Sequence, residues 1–279
     1  MVKFINDDFL RLLYGNRIVQ DDNFNSYSLV SVLDDSVYKI YTDSVYKYKL
    51  NLEVVKKEFI LSELKDIEEL VLPDSLLSYN DSIVGFKMPY IKGNTLDNVD
   101  DSLPCFLKLV DVVDSFSSLS FPFCIGDLHE KNVIVGDLGD IHIIDCDSFV
   151  INNREIYEDD GKMCNGKYVE YGVVFGGVND FKGHSINTDY YCLFMMVVSK
   201  IMEKHGISFD NYLFHGYRCN DWYFNYLMDR ASSNINSFVL SKDDVLYMFD
   251  NMDRFSFYIS DNVSDEELDG IIKRVRYNK

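Results

Sequence analysis

Asp127, Asn132 and Asp145 stand at intervals that suit one kind of chemistry. Asp127 lies in Ile125-Gly126-Asp127-Leu128-His129-Glu130-Lys131-Asn132, Asn132 follows five residues on, and Asp145 heads Asp145-Cys146-Asp147 thirteen positions later. A carboxylate beside a hydroxyl can orient it and accept its proton late in a transfer. An amide oxygen and a second carboxylate are hard oxygen donors of the kind magnesium takes, with water and phosphate filling its other positions. Together these side chains suit phosphoryl transfer from a nucleotide. An Asp-rich loop is ordinarily a set of caps and turns. Here, however, the acids and the amide bracket an apolar hairpin, Val133-Ile134-Val135 and Ile141-His142-Ile143-Ile144, across the turn Gly136–Gly139.

Two more residues fit the same chemistry. Lys39 sits mid-strand in Val37-Tyr38-Lys39-Ile40-Tyr41, from which a lysine can reach across a cleft while its neighbours face elsewhere. Taken alone, it is a lysine on the wet face of a strand. Glu58 follows nineteen residues later in a helical pattern, with Glu53 and Glu63 as competitors. A helix packed on the sheet would aim Glu58 at Lys39 and hold the ammonium ready for phosphates. His129 is expected to organise the loop or lie beside a phosphate. Asp189, in Asn187-Thr188-Asp189-Tyr190-Tyr191, has the look of a helix N-terminal cap.

The elements that must position these residues follow from periodicity and turn chemistry. Residues 1–14 are expected to form a short amphipathic helix. Strands are expected at 27–33 and 37–41 around Asp34-Asp35-Ser36, and at 76–79 and 83–90 around Asn80-Asp81. Helical patterns cover 50–64, 103–119 and 190–202, and the remainder is expected to be mostly helical. The fold class expected is α+β: an antiparallel N-terminal sheet with one helix, a connector at 89–93, and a mainly helical C-terminal part.

Composition bounds the rest. The chain has 279 residues, 47% hydrophobic and 15% aromatic, enough for a large ordered core. It contains no run of 18 apolar residues, so no membrane span is expected. The N-terminus meets Asp7 and Asp8 before any long apolar run, so no signal peptide is expected. Six cysteines without a CxxC pair indicate reduced thiols and a cytoplasmic setting. A net charge of −19 disfavours nucleic acid and anionic membrane as partners and suits a basic one. The single alanine, Ala231, amid abundant Asn, Asp, Tyr, Phe and Ile points to an AT-rich genome, that of a low-GC bacterium or its phage.

In this order, the motifs resemble the protein kinase superfamily, and within it the atypical bacterial and phage Ser/Thr kinase-like proteins. VYKIY resembles the strand with the nucleotide lysine, and KKEFILSEL the helix whose glutamate pairs with it. GFKMPYIKGNTL resembles the last strand of the N-lobe and the hinge. GDLHEKN is similar to a catalytic loop of the aminoglycoside phosphotransferase kind, and IIDCDSF to a metal-binding segment. NTDYYCLFMMVV resembles the central C-lobe helix, whose Asp braces the catalytic loop. The resemblance implies one bilobal kinase-like domain over 1–279, with an N-lobe at about 1–88, a hinge at 89–93 and a C-lobe at about 94–279. It implies ATP and Mg²⁺ as cofactors and a protein substrate as partner. Catalytic roles fall to Asp127, Lys39 and Glu58. Nucleotide contacts fall to Lys39, Met88, Tyr90, Ile91, Ser26 and His129, and metal ligation to Asn132 and Asp145. Small-molecule phosphorylation and a non-catalytic interaction module are the alternatives. Two departures stand out. The segment Asp21–Ser26 has no glycine where the family's phosphate loop is glycine-rich, and isoleucine and glycine precede Asp127 where eukaryote-like kinases have His-Arg. Lacking that arginine, the chain is expected to have no activation-loop phosphate switch.

Overall fold

The computed structural model describes residues 2–17, 28–41, 63–99, 103–145, 149–151, 154–155, 186–207, 217–233 and 240–259. The chain is mixed α+β. Its elements begin with β1 (Val2–Phe4), α1 (Asp7–Gly15), β2 (Ser28–Leu33), β3 (Ser36–Tyr41), β4 (Ser75–Tyr79), β5 (Ser82–Pro89) and β6 (Asn94–Thr95). Next come α2 (Leu103–Ser115), β7 (Phe123–Cys124), β8 (Val133–Val135), β9 (Ile141–Ile143), β10 (Val150–Ile151) and β11 (Arg154–Glu155). The last are α3 (Ile186–Lys204), β12 (Tyr217–Cys219), α4 (Trp222–Ser233), α5 (Lys242–Asn251) and β13 (Phe257–Ile259). Among the described residues, no helix is long and apolar enough to cross a membrane.

The chain divides into two compact units, Met1–Leu109 with Lys131–Asp160, and Val110–Glu130 with Gly161–Lys279. In the first unit a sheet runs in the order β1-β4-β5-β3-β2. Two hairpins build most of it. Their tips, Asp34-Asp35 (φ 48° and 54°) and Asn80-Asp81 (φ 49° and 62°), are left-handed pairs. Such turns match the twist of the strands they join, and Asn and Asp tolerate that conformation. The expectation of an antiparallel sheet needs one correction, because β1 lies parallel to β4, with Val2 opposite Leu76. The expected helix over 1–14 is corrected with it. Residues 2–4 are strand, and α1 starts only after Asn6, whose side chain accepts a hydrogen bond from the Phe9 N–H at 2.9 Å. A three-residue strand carries no periodicity of its own, and its partner lies more than seventy positions away.

Alternation then assigns the two faces of the sheet. Tyr38 and Ile40 of β3 join Ile5, Leu13, Leu29, Leu77 and Val84 in a core that Phe9 and Leu10 of α1 help to cover. Lys39 therefore points to the opposite face. The hairpin β8–β9 also belongs to this unit, and β6 extends it through Asn94 opposite Val135. A parallel bridge between Leu70 and Ile143 ties residues 69–71 alongside β9. It is fixed by bonds from the Ile143 N–H to the Glu69 carbonyl (2.7 Å) and from the Val71 N–H to the Ile143 carbonyl (2.9 Å).

In the second unit α3 is the centre. All its side chains from Thr188 to Val198 are buried, and α5 packs against it. Ser241 and Asp244 form a reciprocal capping box at the start of α5. Lys242 joins α5 to α2 through Asp111 (2.8 Å) and Asp114 (3.2 Å), and the Tyr190 hydroxyl donates to Asp114 at 2.7 Å. The antiparallel pair β12–β13 was not foreseen in a stretch expected to be helical. The helix expected over 50–64 falls mostly outside the described residues.

Candidate functional site

Lys39 faces the side of the sheet away from α1. Its register neighbours are Val30 in β2 and Phe86 in β5. It is buried, at 8% exposure, so it does not lie on a wet face. A buried ammonium needs an anionic partner, and Lys39 donates to the Asp145 carboxylate across 106 positions of sequence. β5 approaches β3 closely beside Lys39. Gly85 lies against the backbone of β3, where an added Cβ would sit 1.9 Å from the Lys39 carbonyl oxygen.

Asp145 is the residue that leaves the β8–β9 hairpin. It adopts φ +64°, a left-handed conformation that most side chains avoid. The preceding Ile144 N–H donates to the Asn132 carbonyl at 2.9 Å, so the backbone entering Asp145 is fastened to that of Asn132. Asn132 is buried, whereas the Asp145 side chain keeps 38% of its surface. The structure thus brings Lys39 and Asp145 into contact and ties Asn132 and Asp145 through one backbone bond. This oxygen set fits magnesium, which needs only one or two protein donors. It is not an all-protein cage. Among the described residues no group of three His, Cys, Asp or Glu side chains stands ready to hold a metal.

Met88 is buried in β5 opposite Val37, while Tyr90 is 44% exposed. The Tyr90 N–H is engaged by the Asp35 carbonyl at 3.1 Å, a contact with the β2–β3 turn that nothing in the motif announced. Ile91 and Pro89 line a cavity of about 390 Å³ with Leu70, Leu72, Pro73 and His142. Asp140 lies 2.6 Å from His142 Nε2 and is held below the usual carboxylate range by that hydrogen bond. Ser26 and Glu58 lie outside the described residues.

In the second unit the loop carrying Asp127 is held from beneath. Asp189 is fully buried on α3, and its carboxylate accepts from the Ile125 N–H (2.8 Å) and the Gly126 N–H (3.0 Å). Asp189 thus braces the backbone before Asp127, where its place in the sequence suggests a cap. Burial pushes the Asp189 carboxyl up to about 7, an effect that the two backbone donors oppose. Gly126 takes φ +80°, which a glycine adopts without strain. His129 lies with Asp127, its Nε2 3.7 Å from Oδ1, and both side chains are mostly covered. Cys192, one helical turn beyond Asp189, has its thiol raised by burial and next by the Asp189 charge, so it is a poor nucleophile.

No protein-family model and no curated protein matches this chain. The functional reading therefore rests on its own side chains and on the motifs they form.

Proposed function

We propose that the chain is an ATP- and magnesium-dependent phosphotransferase with a kinase-like, two-lobed fold, which transfers the γ-phosphate to a serine or threonine hydroxyl of a protein. The observation that carries this reading is the Lys39–Asp145 ion pair. The two residues belong to motifs far apart in the chain, one suited to phosphate and the other to metal, and they meet. The Asp189 brace beneath Gly126 supports it further, because it gives the backbone before Asp127 a defined course.

In this reading Asp127 orients the acceptor hydroxyl and takes its proton as the oxygen bonds to the γ-phosphorus and ADP leaves. Lys39 holds phosphate oxygens, with Glu58 as its expected support. Asn132 and Asp145 hold magnesium, which when bound offsets charge on the phosphates. Lys39 and Asp145 neutralise each other in the structure, and exchanging that partnership for phosphate and metal keeps both charges compensated. Met88, Tyr90 and Ile91 are assigned to the base, with Tyr90 contributing its side chain or carbonyl because its N–H is engaged. The setting proposed is a bacterial or phage-infected cytoplasm.

The test is incubation with magnesium and ATP labelled at the γ or the α position, with and without a host lysate. Label on protein from the γ position alone is expected. Asp145→Ala should lower it by about a thousandfold or more while circular dichroism stays unchanged. Label from the α position would instead mean AMP transfer. That result, no label at all, or an Asp145→Ala variant that still labels would each overturn the proposal.

A further inference from the structure

The start of α4 exposes aromatic surface that the proposed chemistry does not use. Trp222 is 75% and Tyr226 47% exposed, although large aromatic rings ordinarily contribute to cores. One turn apart, they share a helix face. Tyr223 lies between them, its ring edge-on to Trp222 at 5.4 Å and stacked on Tyr226 at 6.0 Å. Tyr247 of α5 meets Tyr223 edge-on at 4.9 Å, completing a group of four rings.

Carboxylates back this group. The Tyr223 hydroxyl donates to Asp244, and the Tyr247 hydroxyl donates to Asp221 at 2.8 Å. The Tyr223 phenol is pushed up to about 12, first by its bond to Asp244 and then by burial. A phenol that donates to a carboxylate has a more electron-rich ring, and its face attracts cations more strongly. Among the described residues, Arg218 is paired with Asp229 at 2.6 Å and Lys242 with Asp111 and Asp114, while Arg254 lies near enough to Tyr247 to oppose slightly the rise that burial gives its phenol. The whole chain carries 46 acidic against 27 basic residues, which favours approach by positive charge.

We propose that this aromatic face docks a basic segment of a partner protein, with arginine or lysine side chains seated against Trp222 and Tyr226. Flat, exposed rings with acids behind them suit guanidinium and ammonium groups, which gain from the ring faces and from the negative field together. Under the proposed function the segment belongs to the acceptor protein. That assignment rests on the phosphotransfer reading, whereas the docking itself does not, so it is tested without nucleotide.

The experiment measures the anisotropy of a fluorescein-labelled arginine–serine octapeptide titrated with the full chain at fixed ionic strength. A glutamate–serine octapeptide serves as control. Binding of the basic peptide alone is expected, together with a change in emission from Trp222, the only tryptophan in the chain. The double variant Trp222→Ala/Tyr226→Ala leaves net charge unaltered and removes two exposed rings, so its fold is checked by an unchanged urea midpoint. It should bind about tenfold or more weakly. Leu138→Ala, at a 92% exposed position in the other unit, should bind like the parent. Equal affinity in the double variant would mean that overall acidity attracts the peptide, and would overturn the proposal. So would absence of peptide binding. Concentration-dependent burial of Trp222 without peptide, abolished by the double variant, would assign the face to a second copy and overturn it as well.

Discussion

Lys39 and Asp145 hold each other by opposite charge across 106 positions of sequence. The Ile125–Gly126 backbone is held by a carboxylate, Asp189, whose partners are two N–H groups. The first contact is half open: Lys39 is buried, but the Asp145 side chain keeps 38% of its surface. The second is sealed, with Asp189 at 0% exposure. Such a pair can trade partners at lower cost, because water reaches the released carboxylate while the buried ammonium passes to another anion. A sealed carboxylate bonded to backbone cannot, since any N–H it gives up is left buried and unsatisfied. The contrast separates a contact suited to exchange during a reaction cycle from one suited to staying fixed through it.

The largest effect on stability is expected at the sealed contact. Asp189→Ala orphans the Ile125 and Gly126 N–H groups and should cost about 2–5 kcal/mol, read as a drop in the urea midpoint. Asp189→Asn keeps one carbonyl acceptor and should cost less. If Asp189→Ala were no worse than an exposed Asp→Ala change, the brace would be incidental and the contrast would fail.

Much of the open contact could be read from the chain itself. The strand around Lys39 and the hairpin between Asn132 and Asp145 announce themselves through alternation, and Asp34-Asp35 and Asn80-Asp81 through their tolerance of left-handed backbone. The partner of Asp189 could not be read locally. An aspartate in the first turn of a helix looks the same whether it caps that helix or reaches Ile125 and Gly126, 64 and 63 positions upstream. Here the order of the motifs pointed to the brace where local chemistry pointed to a cap. Gly85 passed unnoticed because its reason is the Lys39 carbonyl on a neighbouring strand. The strands β1, β12 and β13 span three residues each, too few to show a period, and pair with distant segments.

The sealed contact also predicts a pH dependence. An aspartate ionises near 3.8 when free, and burial raises Asp189 to about 7 in the folded chain. Between these values the folded state holds a proton that the unfolded state has released. The stability contributed by protonated Asp189 is therefore complete below about pH 4 and is lost as pH rises through about 7. At its steepest the slope is about 1.4 kcal/mol per pH unit for one proton. Urea midpoints of the parent and of Asp189→Asn, measured from pH 4.5 to 8, should diverge across this window and run parallel above it. The acid excess of the chain is common to both, so curves parallel throughout would show that Asp189 is ionised over the whole range.

The smallest effect is expected at the open pair, and it tests the contrast from the other side. In a double-mutant cycle of Lys39→Met and Asp145→Asn, the coupling between the two side chains should be about 1 kcal/mol, because the exposed carboxylate is screened by water. It should shrink further as ionic strength rises. Neither response is expected at Asp189, whose partners are backbone groups shielded from solvent. A coupling of about 3 kcal/mol or more, insensitive to salt, would mean that the pair behaves as a desolvated ion pair. Lys39 and Asp145 would then be locked together as firmly as the loop is braced, and the exchange of partners on which the proposed phosphoryl transfer depends would carry a penalty comparable to breaking the brace.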